Sequence, residues 1–193
     1  MAINWDEHAG GWDDKPGVAL YAEKALESLL TTGDIDGLRI LDFGAGTGQL
    51  SSKLAPKASH IVALDTSLPM LAVADSRGLD NLQTLHGELT AELVATHPLM
   101  QNRFDLVVAS SVCGFVPDYE GTVRLIRSLL RPGGRFVQWD WVGMFEDGLT
   151  PERVERTLVE AGFANVSLEL PFTMELSDEV SQVMMGVGRL GPR

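Results

Sequence analysis

A short apolar run that ends in a glycine-rich turn is the feature that most constrains the fold of this chain. Residues 38–43 predict a β-strand, residues 44–48 read Gly-Ala-Gly-Thr-Gly, and residues 49–55 place apolar side chains at helical spacing. A strand, a glycine turn and a helix in this order form a nucleotide site. The glycines let the backbone approach a ligand closely, and the free N–H groups at the helix start attract it.

The spacing of the glycines separates two kinds of nucleotide site. The dinucleotide fingerprint is Gly-x-Gly-x-x-Gly, whereas the third glycine here is Gly48 and Gln49 follows it. Asp42 stands two residues before the first glycine, where a carboxylate would repel a pyrophosphate and attract an ammonium or a sulfonium. The turn therefore favours a cationic nucleoside ligand. An NAD-dependent oxidoreductase is the alternative that Asp42 and Gln49 weigh against.

The same acid-and-glycine pattern resembles the first motif of the class I S-adenosylmethionine-dependent methyltransferases. The resemblance continues in motif order over roughly residues 40–188. Asp65 ends the second predicted strand, residues 66–71 continue it as in the family's Asp-x-Ser-x-x-Met-Leu signature, and residues 129–137 resemble the family's turn before strand five. The resemblance implies S-adenosyl-L-methionine as the cofactor and methyl transfer as the activity. A module that binds this cofactor without transferring methyl groups is a further alternative.

The resemblance also implies a set of cofactor contacts. Asp65 would accept hydrogen bonds from both ribose hydroxyls, Met70 would lie against the adenine, and Glu88 would receive the adenine amino group in place of the family's aspartate. Each has a structural alternative, namely a helix N-cap, a core methionine and a solvated loop acid. The cofactor-binding residues that we expect are Asp42, Gly44, Ala45, Gly46, Gly48, Asp65, Thr66, Met70, Glu88, Leu89 and Ser110.

The segment after the fourth predicted strand departs from the family. The family often has Ser-x-x-x-His-His-Val-Pro-Asp there, and residues 110–118 keep that frame but carry Gly114 and Phe115 in place of the histidines. No imidazole base is expected at this position. Asp140, at the end of the fifth strand, is the best carboxylate candidate for a catalytic base, and a hydrogen-bonded or solvated strand-end acid is its alternative.

Large apolar side chains predict where a methyl acceptor would bind. Open α/β sheets place their ligands beyond the carboxyl ends of the strands, and the N-terminal residues 1–17, with two tryptophans among acids, predict a lid. Such a pocket suits a small molecule with an apolar or aromatic part. The substrate pocket that we expect is lined by Trp12, Tyr21, Phe115, Trp141 and Phe145.

The composition of the chain limits the kinds of partner and ligand that we expect it to bind. The formal net charge is −12 and no Lys/Arg cluster is present, which argues against a nucleic-acid partner. Cys113 is the single cysteine and the four histidines are scattered without ligand spacing, so no metal site is expected. The sequence contains no stretch of ~20 apolar residues, so no membrane span is expected. Residues 1–17 lack the apolar core of a signal peptide. We expect a cytoplasmic protein with no membrane contact and a small-molecule methyl acceptor.

Strands alternate with helices along most of the chain, which predicts a mainly parallel sheet. With 193 residues, 45% of them hydrophobic, the chain is expected to form one methyltransferase domain over residues 1–193. The fold class is α/β: a Rossmann-like, doubly wound, seven-stranded and mainly parallel sheet with an antiparallel last strand. The predicted strands are 38–43, 60–65, 82–86, 104–109, 135–141, 166–170 and 183–190, and the predicted helices are 49–55, 69–75, 91–96, 119–130 and 150–161.

Overall fold

The described part of the chain divides into two units just after the end of the third strand. A computed structural model describes residues 4–143, 148–176 and 179–192. One unit ends at Glu88, and the other begins at Leu89. Within the described ranges, every helix is too short or too polar to cross a bilayer. The single domain expected for residues 1–193 stays a prediction.

Three parallel strands form the sheet of the first unit. Its elements are α1 (Val18–Thr31), β1 (Arg39–Phe43), α2 (Gln49–Leu54), β2 (His60–Asp65), α3 (Leu68–Ser76) and β3 (Leu82–His86), preceded by a 3-10 turn at Trp5–His8. β1 pairs with β2, and β2 pairs with β3. Both β1 and β2 contain four consecutive buried residues, which is the pattern of strands covered on both faces. Because the strands are parallel, the loops that follow β1 and β2 lie at the same edge.

The second unit combines two parallel strands with an antiparallel hairpin. Its elements are α4 (Ala91–Thr96), α5 (Pro98–Gln101), β4 (Phe104–Ser110), α6 (Tyr119–Leu129), β5 (Leu130–Trp141), α7 (Pro151–Glu160), β6 (Asn165–Leu176) and β7 (Glu179–Arg189), with a 3-10 turn at Cys113–Phe115. β4 and β5 are parallel, and β7 runs antiparallel to both β5 and β6. In the seven-stranded sheet, the strand order is β3-β2-β1 within the first unit and β4-β5-β7-β6 within the second. The predicted α/β fold class, mainly parallel with an antiparallel last strand, is confirmed.

The final hairpin is longer than its apolar pattern indicates. β6 has 12 residues and β7 has 11, whereas the pattern predicts only residues 166–170 and 183–190. Pro171 ends that pattern, because proline cannot donate a ladder hydrogen bond. The strand nevertheless continues, since the register of β6 against β7 shifts between Glu169 and Phe172. An irregularity in the outermost strand is a place where a sheet tolerates proline.

Local signals define α7 as the sequence predicts. Oγ1 of Thr150 accepts a hydrogen bond of 3.2 Å from the backbone N–H of Arg153, and Pro151 occupies the first turn. Gly162 follows the helix with a left-handed φ of 88°. A side-chain cap, an early proline and a left-handed glycine are the signals that start and end a helix.

Gly188 in β7 leaves no room for a side chain, and this generates a test of the packing. A Cβ there would lie 2.7 Å from Cγ of Phe163 and 2.9 Å from each of its Cδ atoms. We expect Gly188→Ala to lower the free energy of unfolding by about 1–3 kcal/mol, because a buried ring would have to move in a packed core. Urea unfolding midpoints measure the loss.

The matched control is Gly191→Ala, in the segment just after β7. A Cβ at this position would lie 3.8 Å from the Cβ of Ala164, which is an ordinary van der Waals distance. Equal midpoints for the two variants would contradict the packing of Gly188 against Phe163.

Candidate functional site

The glycine turn after β1 is held in shape by the end of β2. Gly44, Gly46 and Gly48 all adopt left-handed conformations, with φ of 70°, 54° and 74°, which other residues adopt only with strain. The backbone N–H groups of Gly44 and Ala45 both donate to the carbonyl oxygen of Leu64, at 2.8 and 3.1 Å. The backbone geometry of the turn therefore requires the glycines.

Two of these glycines have different surroundings. A Cβ built on Gly46 would meet no atom within 4 Å, so this glycine borders open space. A Cβ on Gly48 would lie 3.0 Å from the Cβ of Ala74 in α3, so Gly48 allows close packing against that helix. Gly46 is therefore the position at which a ligand can approach the backbone of the turn.

Asp42 is a buried carboxylate with one oxygen that lacks a partner. The residue is 1% exposed. Its Oδ2 accepts a hydrogen bond of 2.6 Å from Oγ of Ser51, and its Oδ1 has no hydrogen-bond partner among the described residues. Burial raises the pKa of Asp42 to about 6, the Ser51 hydrogen bond opposes this, and the charge of Asp65 raises the pKa further. A cationic group at Oδ1 would offset both the burial and the repulsion.

Asp65 connects the glycine turn to the start of α3. Its Oδ2 accepts a hydrogen bond of 2.7 Å from the N–H of Gly46, and its Oδ1 accepts one of 2.9 Å from the N–H of Ser67. The N-cap of α3 is Ser67, whose Oγ accepts from the N–H of Met70 at 3.3 Å. Capping therefore belongs to Ser67 and not to Asp65. Asp65 is half-buried, and each of its oxygens keeps a second lone pair for a ligand hydroxyl.

The other predicted cofactor residues differ in exposure. Met70 is 3% exposed, as either an adenine contact or a core side chain would be. Thr66 and Glu88 are exposed on the first unit. Leu89 and Ser110 are half-buried and belong to the second unit. The cofactor contacts of these residues stay predictions.

The N-terminal segment is fastened to the glycine turn by Asp13. Oγ1 of Thr47 donates to Oδ1 of Asp13 at 2.6 Å, and the guanidinium of Arg77 pairs with the other carboxylate oxygen. Nε of Arg77 also donates to the carbonyl oxygen of Thr47 at 2.7 Å. The N-terminal segment, the turn and the end of α3 thus share one closed set of hydrogen bonds.

The predicted pocket residues of the first unit lie on this segment and on α1. Trp12 is half-buried and packs edge-on against Trp5, with ring centroids 5.9 Å apart, while Nζ of Lys15 lies 4.0 Å from the Trp12 ring centroid. Tyr21 is only 8% exposed. Phe145 lies outside the described residues. The role of residues 1–17 as a lid stays a prediction.

In the second unit, three consecutive residues of β5 hold the segment that follows β4. The N–H of Ser111 donates to the carbonyl oxygen of Trp139 at 2.7 Å, and Nε1 of Trp141 donates to Oγ of Ser111 at 2.7 Å. Asp140 lies between Trp139 and Trp141 in the sequence, and its Oδ1 accepts a hydrogen bond of 3.2 Å from the N–H of Gly114. Trp141, a predicted pocket residue, is therefore fixed by its indole nitrogen.

Asp140 is buried at the end of a polar chain. It is 4% exposed, and its Oδ2 accepts from Nε2 of Gln138 at 2.8 Å, while Oε1 of Gln138 accepts from the Tyr119 hydroxyl at 2.8 Å. Burial raises the pKa of Asp140 to about 7, against the hydrogen bonds from Gly114, Gln138 and Cys113, which lower it. Such a pKa suits a general base, but donors already occupy both carboxylate oxygens. The catalytic role of Asp140 stays a prediction.

Three residues of the first unit's site were not found from the sequence. Ser51 lies on the buried side of α2 between Leu50 and Leu54, and a hydroxyl at such a position is a signal for a buried polar partner. Asp13 and Arg77 are 64 residues apart. No spacing rule links residues at that separation, so only the fold reveals their pairing.

Comparisons with known proteins show what the chain is similar to. Residues 41–138 match a family model described as "Methyltransferase domain". The chain is 33% identical over 106 residues to ubiquinone biosynthesis O-methyltransferase of Leptothrix cholodnii. That alignment covers 54% of this chain and 44% of the relative. It is also 33% identical over 114 residues to tRNA 5-carboxymethoxyuridine methyltransferase of Escherichia coli K12, covering 56% of this chain and 42% of that protein.

A solved structure is similar over nearly the whole chain. The DhpI–SAH complex is 25% identical and aligns with a TM-score of 0.71, covering 98% of this chain and 94% of that one. By contrast, this chain spans less than half the length of the two sequence relatives. The family match begins within β1, three residues before the glycine turn, and extends into β5.

The buried charge of Asp42 predicts that stability falls as pH rises. The ordinary pKa is 3.8 and the folded value is about 6, so the folded chain holds this proton more tightly than the unfolded chain does. The stability that this proton contributes is fully present below the pKa of the unfolded chain and is lost as pH rises through the pKa of the folded chain. The total loss of unfolding free energy is about 3 kcal/mol. Asp42→Asn keeps the shape without the titration. We expect its stability relative to the parent to increase from pH ~4 to pH ~8, as measured by urea unfolding.

An exposed aspartate of the same unit, Asp80, provides the control. Asp80→Asn changes an exposed side chain and should alter the free energy of unfolding by no more than about 0.5 kcal/mol. If the free energy of unfolding of Asp42→Asn has the same pH dependence as that of the parent, the buried charge of Asp42 does not destabilise the fold.

Proposed function

The chain belongs to the methyltransferase-domain family, and from this premise we propose that it transfers the methyl group of S-adenosyl-L-methionine to a small molecule with an apolar or aromatic part. One observation carries the proposal. The buried Oδ1 of Asp42 has no hydrogen-bond partner among the described residues, and Asp42 stands two residues before a turn that borders open space at Gly46.

These residues fit the cofactor of the family. S-adenosylmethionine carries an ammonium and a sulfonium, and a buried carboxylate with a raised pKa gains a counter-ion from such cations. A pyrophosphate would instead add negative charge near Asp42 and Asp65, which already repel each other. The NAD-dependent alternative therefore loses support.

Residues of the first unit would hold the cofactor. Gly46 leaves room at the backbone, and Asp42 would bind the ammonium through Oδ1. Asp65 would accept from the ribose hydroxyls with the lone pairs that Gly46 and Ser67 leave free. Met70 would pack against the adenine, and Glu88 would receive its amino group.

The main contribution of the protein to this reaction is to position the acceptor. The chemistry that the bound cofactor supplies is a methyl group on a positively charged sulfur, which passes to the acceptor atom as the carbon–sulfur bond breaks. The side chains must hold the acceptor in line with that bond at about 3 Å and exclude water. Phe115 and Trp141, both half-buried, are pocket residues predicted in the second unit, and their rings would bury apolar surface of the acceptor.

A small-molecule acceptor agrees with the charge of the chain. The formal net charge is −12, and a polyanionic acceptor would have to approach against it. One relative is a tRNA methyltransferase, so a nucleic-acid acceptor is the second candidate. A module that binds the cofactor without transfer is the third.

Transfer of a labelled methyl group distinguishes these candidates. S-adenosylmethionine with a tritiated methyl group is offered with hydroxybenzoates, dihydroxybenzoates, indoles and bulk tRNA in separate reactions. We expect label in at least one aromatic compound and none in tRNA. Label in tRNA alone would contradict the small-molecule proposal, and cofactor binding without transfer to any acceptor would favour the non-catalytic module.

Binding through the glycine turn is tested by two variants with matched backbone strain. Gly46→Val places a branched side chain in the space that the cofactor would occupy, and we expect calorimetry to show at least a ~100-fold loss of affinity for S-adenosylmethionine. Gly78→Val is the control, since Gly78 has a φ of 64° and its Cβ would also meet no atom within 4 Å. It should bind as the parent does.

Asp65→Ala tests the ribose contact in the same assay. The loss of a charged acceptor from two hydroxyls should cost about 1.5–3 kcal/mol. If Gly46→Val and Asp65→Ala both fold and bind like the parent, the cofactor does not bind at this turn.

A further inference from the structure

A buried polar chain in the second unit leads from the Tyr119 hydroxyl through Gln138 to the carboxylate of Asp140. The Tyr119 hydroxyl donates to Oε1 of Gln138, and Nε2 of Gln138 donates to Oδ2 of Asp140. The N–H of Gly114 donates to the other oxygen, Oδ1. Because each donor polarises the next, this arrangement is suited to a charged Asp140.

The segment that Asp140 holds contains a strained residue. Ser111 has a φ of 57°, and among the described residues no other non-glycine residue has a positive φ. Such a conformation costs about 1–3 kcal/mol and persists only where the surroundings enforce it. β5 enforces it through the N–H and the Oγ of Ser111, both at 2.7 Å. The third attachment to β5 is Asp140, which holds Gly114 directly before Phe115.

We propose that Asp140 is a positioning residue that holds the Cys113–Phe115 turn against the end of β5 through the N–H of Gly114, and so sets the place of Phe115 beside the acceptor. Gln138 and Tyr119 keep the carboxylate charged and oriented. The inference rests on the proposed function, because Phe115 affects catalysis only if the acceptor binds beside it.

This role stands in place of the general-base role. A general base must bring a carboxylate oxygen within hydrogen-bond reach of the acceptor's proton. Asp140 is 4% exposed, and its two oxygens are directed at Gly114 and Gln138. A carboxylate in this arrangement can fix a backbone segment, whereas it offers the acceptor no outward-facing oxygen.

The groups around Asp140 leave its own charge as the one that changes near neutral pH. The turn contributes Cys113 and α6 contributes Tyr119, and burial raises the pKa of both well above their ordinary values. On β5, Gln138 is neutral, and β7 places Met184 opposite Asp140 in the strand pairing. These described neighbours are all uncharged at neutral pH.

One charged group of α6 and one of α7 form an ion pair with each other. Glu120 accepts hydrogen bonds from Arg153 at 3.0 and 3.3 Å. With the pKa of Asp140 at about 7, its carboxylate is charged above that pH and holds Gly114 by a charge-assisted hydrogen bond. Below that pH the carboxyl is neutral, and the hold weakens.

The amide of Gly114 reports on this contact without any acceptor. In protein labelled with ¹⁵N-glycine, we expect its amide proton resonance to shift with pH, with an inflection near pH 7. Asp140→Asn keeps a neutral acceptor of the same shape, so the amide should remain protected from exchange and lose the inflection. Gln138→Met removes a donor to the carboxylate and should move the inflection to higher pH. Asp105→Asn, which breaks the pair with Arg131, is the control and should leave it in place.

Turnover distinguishes positioning from base catalysis. With an aromatic acceptor from the labelled-methyl assay, Asp140→Asn should keep kcat within about fivefold of the parent at pH 8, whereas the loss of a general base lowers kcat by about 100-fold or more. Asp140→Ala removes the acceptor for Gly114 and should lower kcat and raise KM well beyond the effect of Asp140→Asn.

Two results would overturn the proposal. One is a Gly114 resonance whose pH dependence is the same in the parent and in Asp140→Asn. The other is an equal loss of kcat of about 100-fold in Asp140→Asn and Asp140→Ala. If no acceptor is methylated, the proposed function fails, and the Gly114 titration still decides the positioning role.

Discussion

The site of the first unit depends on the hydrogen bonds between the glycine turn and the end of β2. The carbonyl oxygen of Leu64 accepts from two N–H groups of the turn, and the Asp65 carboxylate accepts from a third, that of Gly46. The parallel register pairs Phe43 with Leu64, so the turn that follows Phe43 begins beside the residues that accept its hydrogen bonds. The three left-handed residues of the turn are glycines, whose backbones are the most flexible and which have no side chains to restrain them. The neighbouring strand therefore provides the rigidity that a ligand site needs.

Two buried carboxylates, one in each unit, have similar environments and different partners. Burial raises the pKa of Asp42 to about 6 and that of Asp140 to about 7, so both reduce the stability of the folded chain at neutral pH. Asp42 has one oxygen without a partner among the described residues, and this oxygen is the one that we propose binds a cationic group. Both oxygens of Asp140 accept hydrogen bonds from the protein, which is the arrangement of a group that holds its own chain. The hydrogen-bond partners, and not the burial, separate the two proposed roles.

Local sequence signals predicted the parts of the fold that local interactions determine. β2 and β3 have the bounds that their apolar runs indicate. The start of β5 does not: residues 131–134 suggest a tight reversal before a strand at 135, yet β5 begins at Leu130. Gly133 takes a left-handed φ of 76° within the strand, and the pairing with β4 shifts register between Phe104 and Leu106. Pairing between distant strands decides this boundary, and it leaves no local pattern. The same limit applies to the site, where Asp42 and Gly46 belong to one motif but Asp13 and Arg77 meet only in the fold.

The departure from the family's histidine pair has a physical counterpart in the second unit. Gly114 has no side chain, and what it contributes is a backbone N–H that Asp140 accepts. Phe115 contributes a ring that can bury apolar surface but cannot move a proton. An arrangement of this kind favours an acceptor that is already nucleophilic at neutral pH, because no imidazole is there to activate it. The sequence change at positions 114 and 115 and the buried hydrogen bonds to Asp140 therefore both support the proposal that this part of the site positions the acceptor rather than catalysing acid–base chemistry.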